Sequence, residues 1–214
     1  MKPSPQKDFF LDADHARAYS EKAKKSSTRK FDKLLYDLKK LDIKGRYLEI
    51  GCGPGILACM VADRHPGAQI TATDLSPEML RIAKNRLSED CQARLRFGIA
   101  DACDLNSMKE YGTFDLIYTT FTLHHWSNPE KGIRNLYSML NTGGVLYIQD
   151  LKRVGWLSLP FSKNGFFLSV RSSFRPGEIK ALLIKIGIEN FRVQTIAPWF
   201  MLSVMIRKTK ELDR

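Results

Sequence analysis

No run of about eighteen apolar residues occurs in the chain, so no membrane-spanning helix is expected. The opening Met1-Lys-Pro-Ser-Pro-Gln-Lys-Asp8 lacks the apolar segment of a secretory leader. Cys52, Cys59, Cys91 and Cys103 show no C-x-x-C spacing. They read as small buried residues of a reduced, cytoplasmic protein without a disulfide framework. Histidine is scarce: four in all, two of them the adjacent His124 and His125. Adjacent histidines tend to point apart, and neither an H-E-x-x-H nor a third ligand stands nearby, so no metal is expected. Two nucleotide motifs are missing as well. No Gly-Lys-Ser/Thr closes the glycine-rich stretch as a phosphate loop would, and position 56, where a dinucleotide fingerprint has its third glycine, is Ile.

What is present fits one domain: 214 residues, 43% hydrophobic, can fill a sizeable core. The net charge of +11 is unevenly placed. Residues 47–151 hold nine Lys or Arg against twelve Asp or Glu, so the basic excess lies in the flanks. That excess suits an anionic substrate, RNA or an anionic lipid surface, and equally a solubilising surface.

The chain is organised around Tyr47-Leu-Glu-Ile-Gly-Cys-Gly-Pro-Gly55. Tyr47 to Ile50 reads as a buried strand, and Ile56, Leu57, Met60 and Val61 follow at helical spacing. The glycines between let the backbone turn sharply and a ligand approach where a Cβ would collide. The helix start behind them presents free N–H groups to an electron-rich ligand. Ahead of this unit, residues 15–25 suit a short helix. Thr28 suits the N-cap of a longer helix to Leu41, with Phe31, Leu34, Leu35, Leu38 and Leu41 along one face. After it, Ala68 to Thr73 reads as a second strand ending in Asp74, and Ser76-Pro77 starts a helix running to about Ser88. Asp74 falls 23 residues after Gly51, close to where a doubly wound fold places the acid for ribose hydroxyls. Leu95–Ile99 and Phe114–Thr120 read as strands three and four. Ser127-Asn-Pro starts a helix to about Leu140, Asn141–Gly144 is a turn, and Val145–Gln149 is strand five. A helix over 176–186 and strands over about 189–196 and 200–207 complete the pattern.

The motif E-x-G-x-G-x-G at Glu49, Gly51, Gly53 and Gly55, with Asp74-Leu-Ser-Pro-Glu-Met-Leu80 after it, resembles the class I S-adenosylmethionine-dependent methyltransferases. The resemblance covers about residues 45–150 and, less closely, the terminal strands. It implies an α/β, doubly wound, Rossmann-like seven-stranded sheet, mostly parallel with an antiparallel C-terminal strand and helices on both faces. It implies S-adenosylmethionine as cofactor and S-adenosylhomocysteine as product. In the family the acid at Glu49 lies near the amino-acid end of the cofactor. Asp74 would take the ribose hydroxyls, and Asp101, with Ala100 and Ala102 beside it, the adenine. Tyr19, Cys52, Leu75, Met79 and Thr119 complete the implied cofactor site. The alternatives are a turn-forming role for Asp101 and a plain helix aromatic at Tyr19.

By the rule that open parallel sheets bind ligands beyond their strand carboxyl ends, Phe121-Thr-Leu-His-His-Trp126 should face the methyl group. His124 or His125 could deprotonate or orient an acceptor, or simply hold the loop. Residues 1–44 are expected as a helical cap and 45–214 as the cofactor-binding domain. Residues 152–175, where Trp156, Phe161, Phe166 and Phe167 stand among basic residues, are expected as a substrate lid, with a lipid-facing patch and core packing as alternatives. The function expected is in-line methyl transfer to a small-molecule or lipid-like acceptor, anionic or apolar, by a monomer or homodimer. A cofactor-binding protein without transfer is a second reading. RNA methylation is a third, weakened because no RNA-binding module, N-P-P-Y-type motif or catalytic cysteine motif is recognisable.

Overall fold

The structure is a computed structural model and describes residues 13–25, 28–155 and 165–209. In chain order, helix α1 (Ala13–Lys25) and a 3-10 turn (Thr28–Phe31) lead into α2 (Asp32–Leu41). The sheet then begins: β1 (Gly45–Ile50), α3 (Ile56–Arg64), β2 (Ala68–Asp74), α4 (Pro77–Lys84), the short α5 (Glu89–Gln92) and β3 (Leu95–Ile99). Next come β4 (Phe114–Thr120), a 3-10 turn at Leu123–His125, α6 (Pro129–Ser138) and β5 (Leu140–Leu151). Helices α7 (Gly165–Ser172) and α8 (Pro176–Lys185) precede β6 (Phe191–Ile196) and β7 (Met201–Arg207).

The strands form one sheet in the order β3-β2-β1-β4-β5-β7-β6. Strands β3 to β5 pair in parallel, and β7 lies antiparallel between β5 and β6. Alternation along the central strands feeds two apolar layers, as a period of two requires. Tyr47, Tyr118, Val145 and Tyr147 pack with Leu34, Leu35 and Leu38 of α2 and Leu57, Ala58 and Val61 of α3. Leu48, Ile117, Leu146 and Ile148 pack on the other side with Ile133 and Leu136 of α6 and Ile179 and Leu183 of α8. Both faces are thereby covered, as near-continuous apolar parallel strands demand. Among the described residues no helix is long and apolar enough to cross a membrane. All four cysteines are free, with Cys52, Cys91 and Cys103 buried.

Several boundaries differ from the sequence reading. The segment from Thr28 opens as a 3-10 turn, and its α-helical part starts at Asp32. The helix expected to reach Ser88 ends at Lys84: Arg86 N and Leu87 N bond to carbonyls three residues back, and Arg86 Nε reaches across to Pro54 O at 3.0 Å. The turn expected at Asn141–Gly144 lies inside β5. Phe114 pairs with Leu140 but Leu116 with Val145, so the extra residues bulge out of a continuing ladder, with Gly143 at φ 82°. The last two strands begin at Phe191 and Met201, each slightly later than expected. The expectations for Trp156 and Phe161 lie outside the described residues.

Candidate active site

The sheet order reverses between β1 and β4, and there, beyond the strand carboxyl ends, lies a cavity. Its floor follows the strands in turn. The end of β3 supplies Ala100, Asp101 and Ala102, and that of β2 supplies Asp74 and Leu75. From β1 come Glu49, Gly51, Cys52 and Gly53, and from the loop after β4 come Thr120, Phe121, Thr122, His125 and Trp126. Tyr19 and Ala23 of α1, with Lys30 and Phe31 of the following 3-10 turn, close one side.

Glu49 is 1% exposed and accepts from the Tyr118 hydroxyl at 3.1 Å, its neighbour across the β1–β4 pair. Burial pushes its carboxyl up to about 8; the Tyr118 hydrogen bond pulls the other way and the nearby Asp74 charge adds to the rise. Asp74 accepts from Gly53 N at 2.7 Å on one oxygen and from Ser76 N at 2.9 Å on the other. It ties the glycine loop to β2 and, with a second lone pair on each oxygen, can still accept from a ligand. Burial raises its pKa, partly offset by these backbone N–H groups. Ser76 caps α4 by accepting from Met79 N at 3.2 Å, which leaves Asp74 free of capping duty. Met79 is a buried wall residue, while Leu75 is 37% exposed. Asp101 accepts from Cys103 N at 2.8 Å, holding the loop after β3 closed beneath the cavity. Tyr19 stands at the rim, 42% exposed.

The glycines divide the labour. Gly51 has φ 70°, and a Cβ on it would come 2.2 Å from Thr122 Cγ2. Gly55, at φ 75°, packs against Ala83 of α4, where a Cβ would approach to 2.8 Å, and it is absent from the cavity wall. Gly53 alone of the three faces open space. Two further predicted residues also lie off the wall. Thr119 is fully buried, donating to Ile50 O at 2.8 Å and meeting the Thr122 hydroxyl. His124 is 4% exposed; its Nδ1 lies 2.7 Å from Asp150 Oδ1 and its N–H donates to Asp150 Oδ2 at 3.0 Å. A carboxylate only accepts, so Nδ1 carries the proton. The two imidazoles do not point apart: their centroids are 4.0 Å from one another, His124 beneath and His125 on the wall.

Tyr118, Asp150, Lys30 and Phe31 were not singled out as site residues by sequence, and Phe121 and Trp126 entered only as the ends of the loop expected to face the methyl group. Only Phe121 carries a local sign in the fold, a left-handed φ of 56°, costly for an aromatic residue. Among the described residues no group of three His, Cys, Asp or Glu side chains is placed to hold a metal.

Residues 48–146 match the family model described as a methyltransferase domain. That segment, a little under half of the chain, resembles the class I S-adenosylmethionine-dependent methyltransferases. That class uses S-adenosylmethionine as its cofactor, and a cavity lined by Glu49, Asp74 and Asp101 together with apolar Leu75 and Met79 suits such a ligand. Over 204 residues the chain is 29% identical to malonyl-[acyl-carrier protein] O-methyltransferase of Acetivibrio thermocellus, covering 89% of this chain and 68% of that protein. It is 33% identical over 122 residues to ubiquinone biosynthesis O-methyltransferase of Xanthomonas euvesicatoria, covering 56% of this chain and 49% of that protein. An uncharacterised protein of Synechococcus is 35% identical over 116 residues, which make up 51% of this chain and 26% of the relative. The chain thus spans between a quarter and two thirds of these curated relatives. The plantazolicin methyltransferase BpumL in complex with SAH superposes with a TM-score of 0.72 at 20% identity, covering 94% of this chain and 92% of BpumL. At that identity the likeness concerns the fold.

Proposed function

We propose that this protein transfers a methyl group from S-adenosylmethionine to a small-molecule acceptor seated against His125 and Trp126. The observation that carries the reading is the row of acids Glu49, Asp74 and Asp101 on the ends of three neighbouring strands, opening on one cavity. Asp74 accepts from the ribose hydroxyls, Glu49 faces the ammonium, and Asp101 takes the adenine amine, with Ala100 and Ala102 beside the ring. The cofactor supplies a methyl group on a positively charged sulfur, already primed for displacement. The chain's part is therefore positioning and exclusion of water, for which effective concentration is the main lever. His125, on the wall, orients the acceptor or takes its proton. His124, locked by Asp150, holds His125 in place. Two of the relatives are O-methyltransferases, which favours an oxygen acceptor. Tyr19 and the rest of residues 1–44 serve as a cap. The 152–175 segment serves as a lid, its described residues being 152–155 and 165–175, with Phe166 of α7 40% exposed. The protein works in the cytoplasm.

The test is calorimetric titration with S-adenosylmethionine and S-adenosylhomocysteine, followed by an S-adenosylhomocysteine-release assay over a panel of phenols, carboxylic acids and amines. Binding with turnover that His125→Ala lowers at saturating cofactor supports the proposal. Binding without turnover on any acceptor favours a cofactor-binding protein instead. No binding removes both.

A further inference from the structure

Among the described residues that line the cavity, Lys30 is the only lysine or arginine. Its ammonium lies 5.0 Å from the Phe31 ring centre and 6.0 Å from that of Phe121, and these rings stand 6.4 Å apart. Its backbone carbonyl accepts from Gln149 Nε2 at 2.6 Å, which anchors the residue over the end of β5. Phe121 is held from the same strand, its N–H donating to Gln149 O at 2.9 Å. Burial lowers the Lys30 pKa, and among the described residues no carboxylate pairs with it. A half-buried ammonium without a carboxylate beside it is costly, and two ring faces compensate only in part.

Sheet order serves as a ruler. The acids stand over β3, β2 and β1, while Lys30 stands over β5, beyond β4. Neighbouring strands lie about 4.8 Å apart, so Gln149 sits about 10 Å across the sheet from the end of β1. If the cofactor occupies the three acid-bearing strand ends, the β5 end of the cavity is left for the acceptor.

We propose that this end is an anion subsite, in which Lys30 receives a carboxylate or phosphate on the acceptor while Phe31 and Phe121 flank the acceptor's apolar body. The inference rests on the methyltransferase reading above and names its acceptor class: a flat or apolar molecule bearing an anionic group.

The experiment uses the full chain saturated with S-adenosylhomocysteine, titrated with benzoate and with its neutral counterpart benzamide, in the wild type, Lys30→Met and Lys30→Arg. Benzoate is expected to bind the wild type, to bind Lys30→Met about tenfold more weakly, and to be largely restored by Lys30→Arg. Benzamide is expected to bind weakly and equally to all three. Affinity for S-adenosylhomocysteine should stay within about twofold across the set, which also shows that the variants fold. The proposal is overturned if benzoate fails to bind the loaded wild type or binds Lys30→Met equally well. It is overturned too if Lys30→Met weakens S-adenosylhomocysteine as much as benzoate, for then Lys30 serves the cofactor's own carboxylate. Failure of S-adenosylhomocysteine to bind the wild type would instead remove the underlying reading.

Discussion

Glu49 spends stability in the empty protein. Its folded pKa of about 8 stands above the ordinary 4.5, so between these values the folded state holds a proton that the unfolded chain has released. Stability without cofactor should therefore fall as pH rises from about 4.5 and level off above about 8, by an amount on the order of several kcal/mol. Glu49→Gln should match the wild type near pH 5 and melt higher at pH 8, read by thermal unfolding without ligand. A cofactor cation favours the ionised form, so wild-type affinity for S-adenosylmethionine should rise through the same window, and that of the Gln variant should not. Asp74→Ala removes a charged acceptor and frees Gly53 N and Ser76 N. A loss of about 2 kcal/mol, ten- to a hundredfold in cofactor affinity by calorimetry, is expected.

Among elements, the glycine loop and the loop after β4 are one unit. Gly51→Ala forces a left-handed alanine, at about 1–2 kcal/mol, and drives its Cβ into Thr122 Cγ2. Thr122→Ser removes that methyl and should recover part of the loss in chemical denaturation. The histidine turn divides similarly. His124→Ala strips the Asp150 carboxylate, 2% exposed, of its imidazole partner and should cost about 1–3 kcal/mol of stability. His125→Ala should leave stability nearly unchanged and lower turnover.

Legibility followed the same division. Each strand, the glycine turn, Asp74 and the Ser76 cap could be read from local signals, because glycine, proline and alternating apolar residues act within a few positions. Side-chain partnerships could not. Tyr118 meets Glu49 across 69 positions and Gln149 meets Lys30 across 119, pairings fixed by strand register and sheet order. Thr119 at the end of β4 and His124 in the loop after it were legible as neighbours of the site, but not their direction: strand alternation and a 3-10 turn place each one step from the cavity wall.

Across the whole molecule, the β5 end of the sheet is clamped to α8 through Arg153. This guanidinium is 6% exposed, pairs with Glu178, and has Nε and Nη1 without partners among the described residues. Glu178→Gln would leave a buried, uncompensated cation, and a loss of about 3 kcal/mol is expected, with a lower midpoint in urea. The variant should keep its affinity for S-adenosylhomocysteine, since neither residue lines the cavity.

The placement of β7 has a consequence in time. A ribosome makes β6 before β7, yet β7 occupies the slot between β5 and β6, and β6 pairs with no other strand among the described residues. Among the described residues β6 has no strand to join until Met201–Arg207 is out, so this end of the sheet cannot close before β7 has been made.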